Sequence, residues 1–131
     1  FAVPEVTLGT ICGAGGTQRL PRLIGETRAK EMIFTGREIT AETAREWGLV
    51  NGVFTAGSLL EETLNLAEEI ARNSPYAVTC AKRSVNGGRE MLLEEALEWE
   101  RSLFGECGES RDRKEGMTAF LEKRPRVFTG E

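Results

Sequence analysis

The chain has 131 residues, of which 40% are hydrophobic and 29% are charged, and its net charge is −4. This length is enough for one domain with its own core, the composition is that of an ordinary globular protein, and the charge gives no overall reason to expect nucleic acid or an anionic membrane as a partner. The absence of histidine excludes Ser-His-Asp and Cys-His nucleophilic catalysis and most zinc sites, and no apolar run approaches membrane-spanning length.

The N-terminal stretch places a single carboxylate among apolar residues. Residues 1–9 are predicted to form a short buried strand. Glu5 lies among Val3, Val6 and Leu8, where a carboxylate loses hydration. An environment of this kind suits a general acid or base, but the residues alone favour a solvated glutamate at the end of a strand.

A glycine-rich loop follows, with glycines at positions 9, 13, 15 and 16. Glycines so closely spaced indicate that the backbone takes positive φ or lets another group approach closely. Gln18 stands where a dinucleotide fingerprint read from Gly13 needs glycine, and no Gly-Lys-Ser/Thr sequence completes a P-loop. Both nucleotide-binding interpretations therefore fail on residue identity.

Helices are predicted for most of the remaining chain from apolar periodicity and capping residues. The predicted segments are residues 27–34 with a stop at Gly36, 40–47 with a stop at Gly48, 58–73 after a capping box, 74–88, 92–103, and 110 to the stop at Pro125. A brief strand or turn is predicted around Asn51-Gly52. The predicted buried stripes include Leu60, Leu64, Ala67 and Ala71; Val78, Ala81 and Val85; Leu92, Ala96, Trp99 and Leu103; and Met117, Phe120 and Leu121.

Charge and cysteine content add two expectations. From Arg111 to Arg126 there are six bases and three acids, a tail that fits either a solvated helix face or a phosphate-bearing ligand. Three cysteines in no paired spacing favour a reducing compartment, and we expect a cytoplasmic protein.

The order of these motifs resembles the enoyl-CoA hydratase/isomerase (crotonase) family. The residues that carry the resemblance are Pro4-Glu5, Gly9-Thr10-Ile11, Gly13 to Leu20, Leu23-Ile24-Gly25, Ala29, Thr35-Gly36, Ala44, Gly48-Leu49-Val50, Ser74-Pro75, Ala81-Lys82 and Glu115 to Arg124. They cover essentially the whole chain but match only the family's C-terminal half. Together with the start at Phe1 rather than Met, this leads us to expect a piece of a longer protein.

The resemblance implies an α/β fold, a superhelix of ββα units, of which this chain is the mostly helical C-terminal portion with a short strand at its start. Residues 1–56 would be the end of the crotonase core, with the glutamate strand and the glycine loop. Residues 57–131 would be a helical trimerisation region. The intact protein is then expected to be a homotrimer or a dimer of trimers.

The resemblance also implies roles for four residues. Glu5 matches one of two glutamates that hold a water over the double bond of an enoyl-CoA thioester, and Gly13 matches a backbone N–H donor near that water. Phe120 and Lys123 match an aromatic and a lysine that touch the CoA bound to a neighbouring subunit. The second glutamate and most of the oxyanion hole belong to the upstream half of the family pattern.

For the remaining candidates, several interpretations stay open. Cys12 stands where proline is common in hydratases, and it is either an oxidisable residue beside the site or a small buried one. Phe120 alone favours a core position, and Lys123 alone a surface charge. The implied reaction is hydration of a 2-enoyl-CoA without a cofactor or metal; the alternatives are an isomerase of the same family and a non-catalytic RNA-binding or assembly module.

Overall fold

The computed structural model describes residues 1–131, which form one 3-10 helix and seven α-helices. The 3-10 helix is Pro4–Leu8, and the α-helices are α1 (Gly16–Ile24), α2 (Glu26–Thr35), α3 (Ala41–Glu46), α4 (Leu59–Ala71), α5 (Pro75–Gly88), α6 (Leu93–Gly108) and α7 (Arg111–Glu122). None of these helices is long and apolar enough to cross a membrane.

The chain divides into two compact units, Phe1–Leu60 and Glu61–Glu131. The sequence-based division at residues 56 and 57 assigned a role to each part, the end of a catalytic core and a trimerisation region. Those roles remain predictions.

The strand predicted over residues 1–9 is wrong, because Pro4–Leu8 forms the 3-10 helix. Pro4 occupies the first helical position, where a missing N–H costs nothing. Gly9 ends the helix in the left-handed conformation, with φ 76°, and its N–H points back to the carbonyls of Glu5 and Val6. A short apolar run does not by itself distinguish a strand from a helical turn, and here proline and glycine fix the tighter structure.

The core of the first unit lies between the 3-10 helix, the glycine loop and the first two α-helices. Its buried members are Cys12, Ile24, Ala29 and Ile33. Five half-buried apolar side chains pack around them, namely Val3, Val6, Leu20, Trp47 and Leu49. Glu5 therefore sits on an element whose neighbouring side chains are anchored in this core.

Helices α2 and α3 confirm the corresponding predictions. Helix α2 buries Ala29, Met32 and Ile33 and ends at Gly36, which is left-handed with φ 62°. Helix α3 begins after Thr40, whose side chain accepts a hydrogen bond from the Thr43 N–H at 3.1 Å. Helix α1 was not predicted, since Pro21 inside it masks the helical signal.

The segment around Asn51-Gly52 contains no strand; it forms a bend after the turn that ends α3.

Helices α4 to α7 lie close to the predicted boundaries. Ser74 caps α5 by accepting the Ala77 N–H at 3.0 Å, and Ser110 caps α7 by accepting the Arg113 N–H at 3.0 Å. At the end of α5, a side chain at Gly87 would lie 2.9 Å from Nε1 of Trp99, so this glycine lets α6 pack closely. The predicted stop at Gly87-Gly88 is correct, and the structure adds this packing reason for glycine.

The predicted burial in these helices is mostly wrong. All residues of α4 are exposed. Ala81 and Leu92 are exposed, and so are Val85, Met117, Phe120 and Leu121, the last two at 79% and 75%. Leu103 is buried as predicted, and the other buried residues include Cys80, Ala119 and Asp112. An apolar stripe shows which helix face favours burial, but these 131 residues provide nothing to cover much of it.

Candidate functional site

The backbone around Glu5 is held by hydrogen bonds on both sides. The Thr7 hydroxyl donates to the Pro4 carbonyl at 2.7 Å. The Glu5 carbonyl accepts the Thr10 N–H at 3.2 Å, which ties the 3-10 helix to the start of the glycine loop. These contacts fix the direction in which the Glu5 side chain leaves the backbone.

The Glu5 side chain is half-buried, and its two oxygens differ. Oε2 is closed off from solvent and has no hydrogen-bond partner within the chain. A buried polar atom without a partner is rare in folded proteins and calls for an explanation, such as a bound molecule or a group supplied from elsewhere. Glu5 is thus the desolvated carboxylate that the sequence indicated, while its catalytic role remains a prediction.

The structure requires glycine at some positions of the loop but not at others. Gly15 has φ 87° and precedes α1. A side chain at Gly16 would lie 2.9 Å from Sγ of Cys12. Gly13, in contrast, has no positive φ, and a side chain there would meet nothing within 4 Å.

The fold of this chain therefore does not itself require glycine at position 13. Gly13 lies in a turn, although its φ is not positive, and its expected role as a backbone donor near a catalytic water remains a prediction. The space beside its exposed backbone is open to a ligand or to another part of the protein.

Cys12 is a core residue. Its exposed fraction is 6%, and it packs with Ile24, Ala29 and Ile33. Of the two interpretations that the sequence left open, the small buried residue is the one that the structure favours.

The second unit brings Phe120 and Lys123 together at the end of α7. Both line a cleft of about 460 Å³, together with Gly116, Ala119, Arg124, Pro125 and Arg126. The ring of Phe120 is 79% exposed, so its expected core position is wrong. Both side chains are available at the surface of this unit, as contact with a ligand requires.

Lys123 has an unusual backbone conformation. It is the one non-glycine residue with positive φ, at 54°, and it ends α7. A left-handed non-glycine residue persists only where its surroundings hold it. Immediately after it, the chain turns back along α7.

An ion pair holds this reversal. Arg124 donates to both carboxylate oxygens of Glu115, at 2.7 and 2.8 Å, and to Glu122 at 2.7 Å. The Val127 N–H also donates to Glu115, at 2.9 Å. The hydrogen bonds from Arg124, followed by the one from Val127, lower the pKa of the Glu115 carboxyl from 4.5 to about 2.

Asp112 is a buried residue that sequence reasoning missed. Its carboxylate accepts the Ser74 hydroxyl at 2.6 Å and the N–H groups of Thr129 and Gly130 at 2.8 to 3.1 Å. Burial acts to raise the pKa of the Asp112 carboxyl, but these hydrogen bonds outweigh it and lower the pKa. An acid two residues after the capping Ser110 is a visible signal, whereas its partner at position 74 is not.

Comparison with known proteins identifies the family to which the residues around Glu5 and around Lys123 belong. The family model for enoyl-CoA hydratase/isomerase matches residues 1–131. The chain belongs to the enoyl-CoA hydratase/isomerase family. Recognition of this family from the sequence is confirmed.

Relatives at high identity carry hydratase names. The mitochondrial enoyl-CoA hydratase of Pongo abelii is 48% identical over 98% of this chain and 44% of its own length. The 2,3-dehydroadipyl-CoA hydratase of Escherichia coli K12 is 45% identical over 99% of this chain and 51% of its own length. The chain spans about half the length of the curated relatives that it matches.

Solved structures confirm the fold class. The crystal structure of enoyl-CoA hydratase from Bacillus anthracis aligns with a TM-score of 0.93 at 47% identity, over 98% of this chain and 50% of that one. An enoyl-CoA hydratase structure from Geobacillus kaustophilus aligns with a TM-score of 0.95 at 45% identity, over 99% of this chain and 49% of that one. The chain is a mostly helical part of a crotonase-like fold, without the short strand that the sequence predicted.

Proposed function

We propose that the full-length protein is an enoyl-CoA hydratase that adds water to the double bond of a 2-enoyl-CoA thioester. One observation carries the proposal: a buried carboxylate oxygen of Glu5 has no partner in the chain, in a member of the hydratase/isomerase family. The hydratase names of relatives near 45% identity support it.

In the proposed mechanism, Glu5 and a second glutamate outside this chain hold the attacking water. The Glu5 carboxyl donates a proton to Cα while the oxygen of the water bonds to Cβ on the same face, so that the addition is syn. The second glutamate takes the proton that the water loses, and the pair keeps its total number of protons. Desolvation of Oε2 favours this use, because a carboxyl without competing hydrogen bonds is free to exchange a proton with the substrate.

The other two predicted contacts complete the proposal. Gly13 is exposed and has no side chain that could block a water, so its backbone N–H would hold the water. Phe120 and Lys123 would contact the CoA portion of a substrate bound to a neighbouring subunit. The CoA thioester is the substrate itself, and the reaction takes no other cofactor.

We further propose that the protein acts as a homotrimer or a dimer of trimers in the cytoplasm. The exposed apolar residues of α7 support the assembly. The three free cysteines support a reducing compartment. Cell fractionation tests the compartment, since several relatives are mitochondrial proteins by name.

The test of the mechanism is Glu5→Gln in the full-length protein. We expect kcat for hydration of crotonyl-CoA to fall by about 100- to 10,000-fold, the usual contribution of one general acid or base. Binding of butyryl-CoA, which has no double bond to hydrate, should change little. The matched control is Glu38→Gln, at an exposed glutamate, and it should keep wild-type turnover.

Two outcomes would contradict the proposal. Unchanged turnover in Glu5→Gln would remove Glu5 from the mechanism. A wild-type protein that moves the double bond of a 3-enoyl-CoA but does not hydrate crotonyl-CoA would instead be an isomerase of the same family.

A further inference from the structure

Three cations line the cleft at the end of α7, and they are not equally available to a ligand. Lys123, Arg124 and Arg126 all border this space of about 460 Å³. The ion pairs, hydrogen bonds and ring contacts of each side chain determine which of the three positive charges remain free to attract an anion.

Arg124 is already neutralised. Its guanidinium makes two parallel hydrogen bonds with Glu115 and a third with Glu122, at 2.7 to 2.8 Å. A bidentate pair of this kind occupies the donors that would otherwise bind phosphate. Arg124 therefore shapes the cleft and holds α7 to the tail, and its charge is offset by two carboxylates.

Arg126 is held in place but keeps its charge. Its guanidinium lies 5.7 Å from the ring centroid of Phe128, and its Nη2 donates to Oδ1 of Asn73 at 3.2 Å. Both partners are neutral, and no carboxylate lies within ion-pair distance of Arg126. The ring of Phe128 rests against α7 at Gly116, where a side chain would come within 3.4 Å of it.

We propose that Arg126 is a phosphate-binding residue of this cleft, acting with Lys123 on the phosphate-bearing end of an acyl-CoA. The inference rests on the proposed function for the identity of the ligand. The planar guanidinium offers a fork of N–H donors that fits phosphate oxygens, while the ammonium of Lys123 adds a mobile point charge. Phe128 and Asn73 orient the fork in advance, which reduces the ordering that binding requires.

The experiment measures calorimetric binding of adenosine 3′,5′-bisphosphate, the phosphate-rich end of CoA, to the full-length protein. We expect Arg126→Gln to raise the Kd roughly ten-fold and to reduce the dependence of binding on salt. Arg126→Lys, which keeps the charge but loses the fork, should fall between Arg126→Gln and wild type. The matched control is Lys114→Gln, which removes one exposed positive charge from α7 outside the cleft, and its Kd should equal that of wild type.

The competing results are distinct. Equal Kd values for wild type and Arg126→Gln would overturn the inference, provided that circular dichroism shows both proteins to be folded. So would inorganic phosphate binding as tightly as the bisphosphate, since the site would then be a general anion site. Weaker binding of AMP than of the bisphosphate supports the inference, because AMP lacks the 3′-phosphate.

Kinetics separate this inference from the proposed function. In a protein that hydrates crotonyl-CoA, Arg126→Gln should raise KM for crotonyl-CoA roughly ten-fold but leave kcat, and KM for the phosphate-free crotonyl-pantetheine, unchanged. A protein that shows no hydration, yet loses bisphosphate binding in Arg126→Gln, would refute the proposed reaction and support the role of Arg126. Normal hydration with an unchanged KM in Arg126→Gln would refute only the role of Arg126.

Discussion

A carboxylate oxygen that is shielded from water and lacks a hydrogen-bond partner destabilises a fold, and Glu5 carries such an atom. Stability alone would favour an apolar side chain at this position. A residue that weakens the fold in this way is typical of active sites, where function requires a group that packing does not.

We therefore expect Glu5→Met to stabilise the protein by about 1 kcal/mol while it abolishes hydration, because the substitution removes an unsatisfied buried polar group. Urea unfolding measures the change in the free energy of unfolding. Glu38→Met, on the exposed surface, should stay within about 0.5 kcal/mol of wild type. No gain in Glu5→Met would mean that a group outside these 131 residues already satisfies Oε2.

The individual residues of the candidate site differ in how far the sequence could predict them. Glu5 could be predicted because it is a lone carboxylate among apolar residues. Asp112 could not be predicted, because its hydrogen-bond partners are the Ser74 side chain and the backbone of Thr129 and Gly130, and only folding brings these groups to it. Cys12 and Gly16 form a similar case, since their mutual contact is what requires glycine.

At the scale of elements, the 3-10 helix depends on the end of α2. A side chain at Gly36 would lie 2.9 Å from Cγ2 of Thr7 and 3.3 Å from Cα of Pro4. The residues that flank Glu5 therefore rest directly on a left-handed glycine that ends another helix.

Gly36→Ala should destabilise the protein by about 2 kcal/mol or more, because it adds a steric contact to the cost of a left-handed alanine. Gly48→Ala is the matched control: Gly48 is also left-handed, with φ 78°, but a side chain there meets nothing within 4 Å. It should cost only about 1 kcal/mol. Thermal unfolding compares the two variants, and equal losses would show that the contact with Thr7 and Pro4 carries no energy.

The end of α7 should respond to pH through Glu115. The pKa of its carboxyl is lowered from 4.5 to about 2 in the folded protein. The folded state therefore binds fewer protons than the unfolded state between these values, and stability falls as pH falls through this range.

We expect wild type to be more stable than Glu115→Gln at pH 6, and the difference to shrink as the pH is lowered from about 4.5 towards 2. Thermal unfolding across this range measures it. A difference that stays constant with pH would show that the Glu115 charge contributes nothing and that only its packing matters.

Local sequence signals are enough to predict where several of the helices begin. Thr40, Ser74 and Ser110 each cap the helix that follows, as their side chains and positions indicate. The strand at residues 1–9 and the buried faces of α4 and α7 were wrong for another reason. Whether an apolar segment extends, coils or remains exposed depends on what packs against it, and that information is not local.

Across the whole molecule, many large apolar side chains are exposed to solvent. Large examples on the helices of the second unit include Leu64, Leu93, Phe104, Phe120 and Leu121. Extended exposed apolar surface is typical of protein–protein contacts. It supports the proposed burial of these residues by the rest of the protein and by neighbouring subunits.

Light scattering on the full-length protein should accordingly give three or six times the mass of one subunit. Dilution tests whether the assembly persists at low concentration. A monomer at all concentrations would contradict the assembly and, with it, the contact of Phe120 and Lys123 with a neighbour's CoA.

One backbone contact in the first unit bears on how the protein is made. Phe1 and Ile39 exchange two hydrogen bonds, at 2.9 and 2.8 Å, across 38 positions of the chain. During translation, the segment with Glu5 is synthesised well before Gly36 and Ile39, which hold it. At about 5–20 residues per second, the ribosome takes roughly 2 to 8 seconds to add that stretch. The nascent chain therefore contains Glu5 before the residues that hold its segment in place have been added.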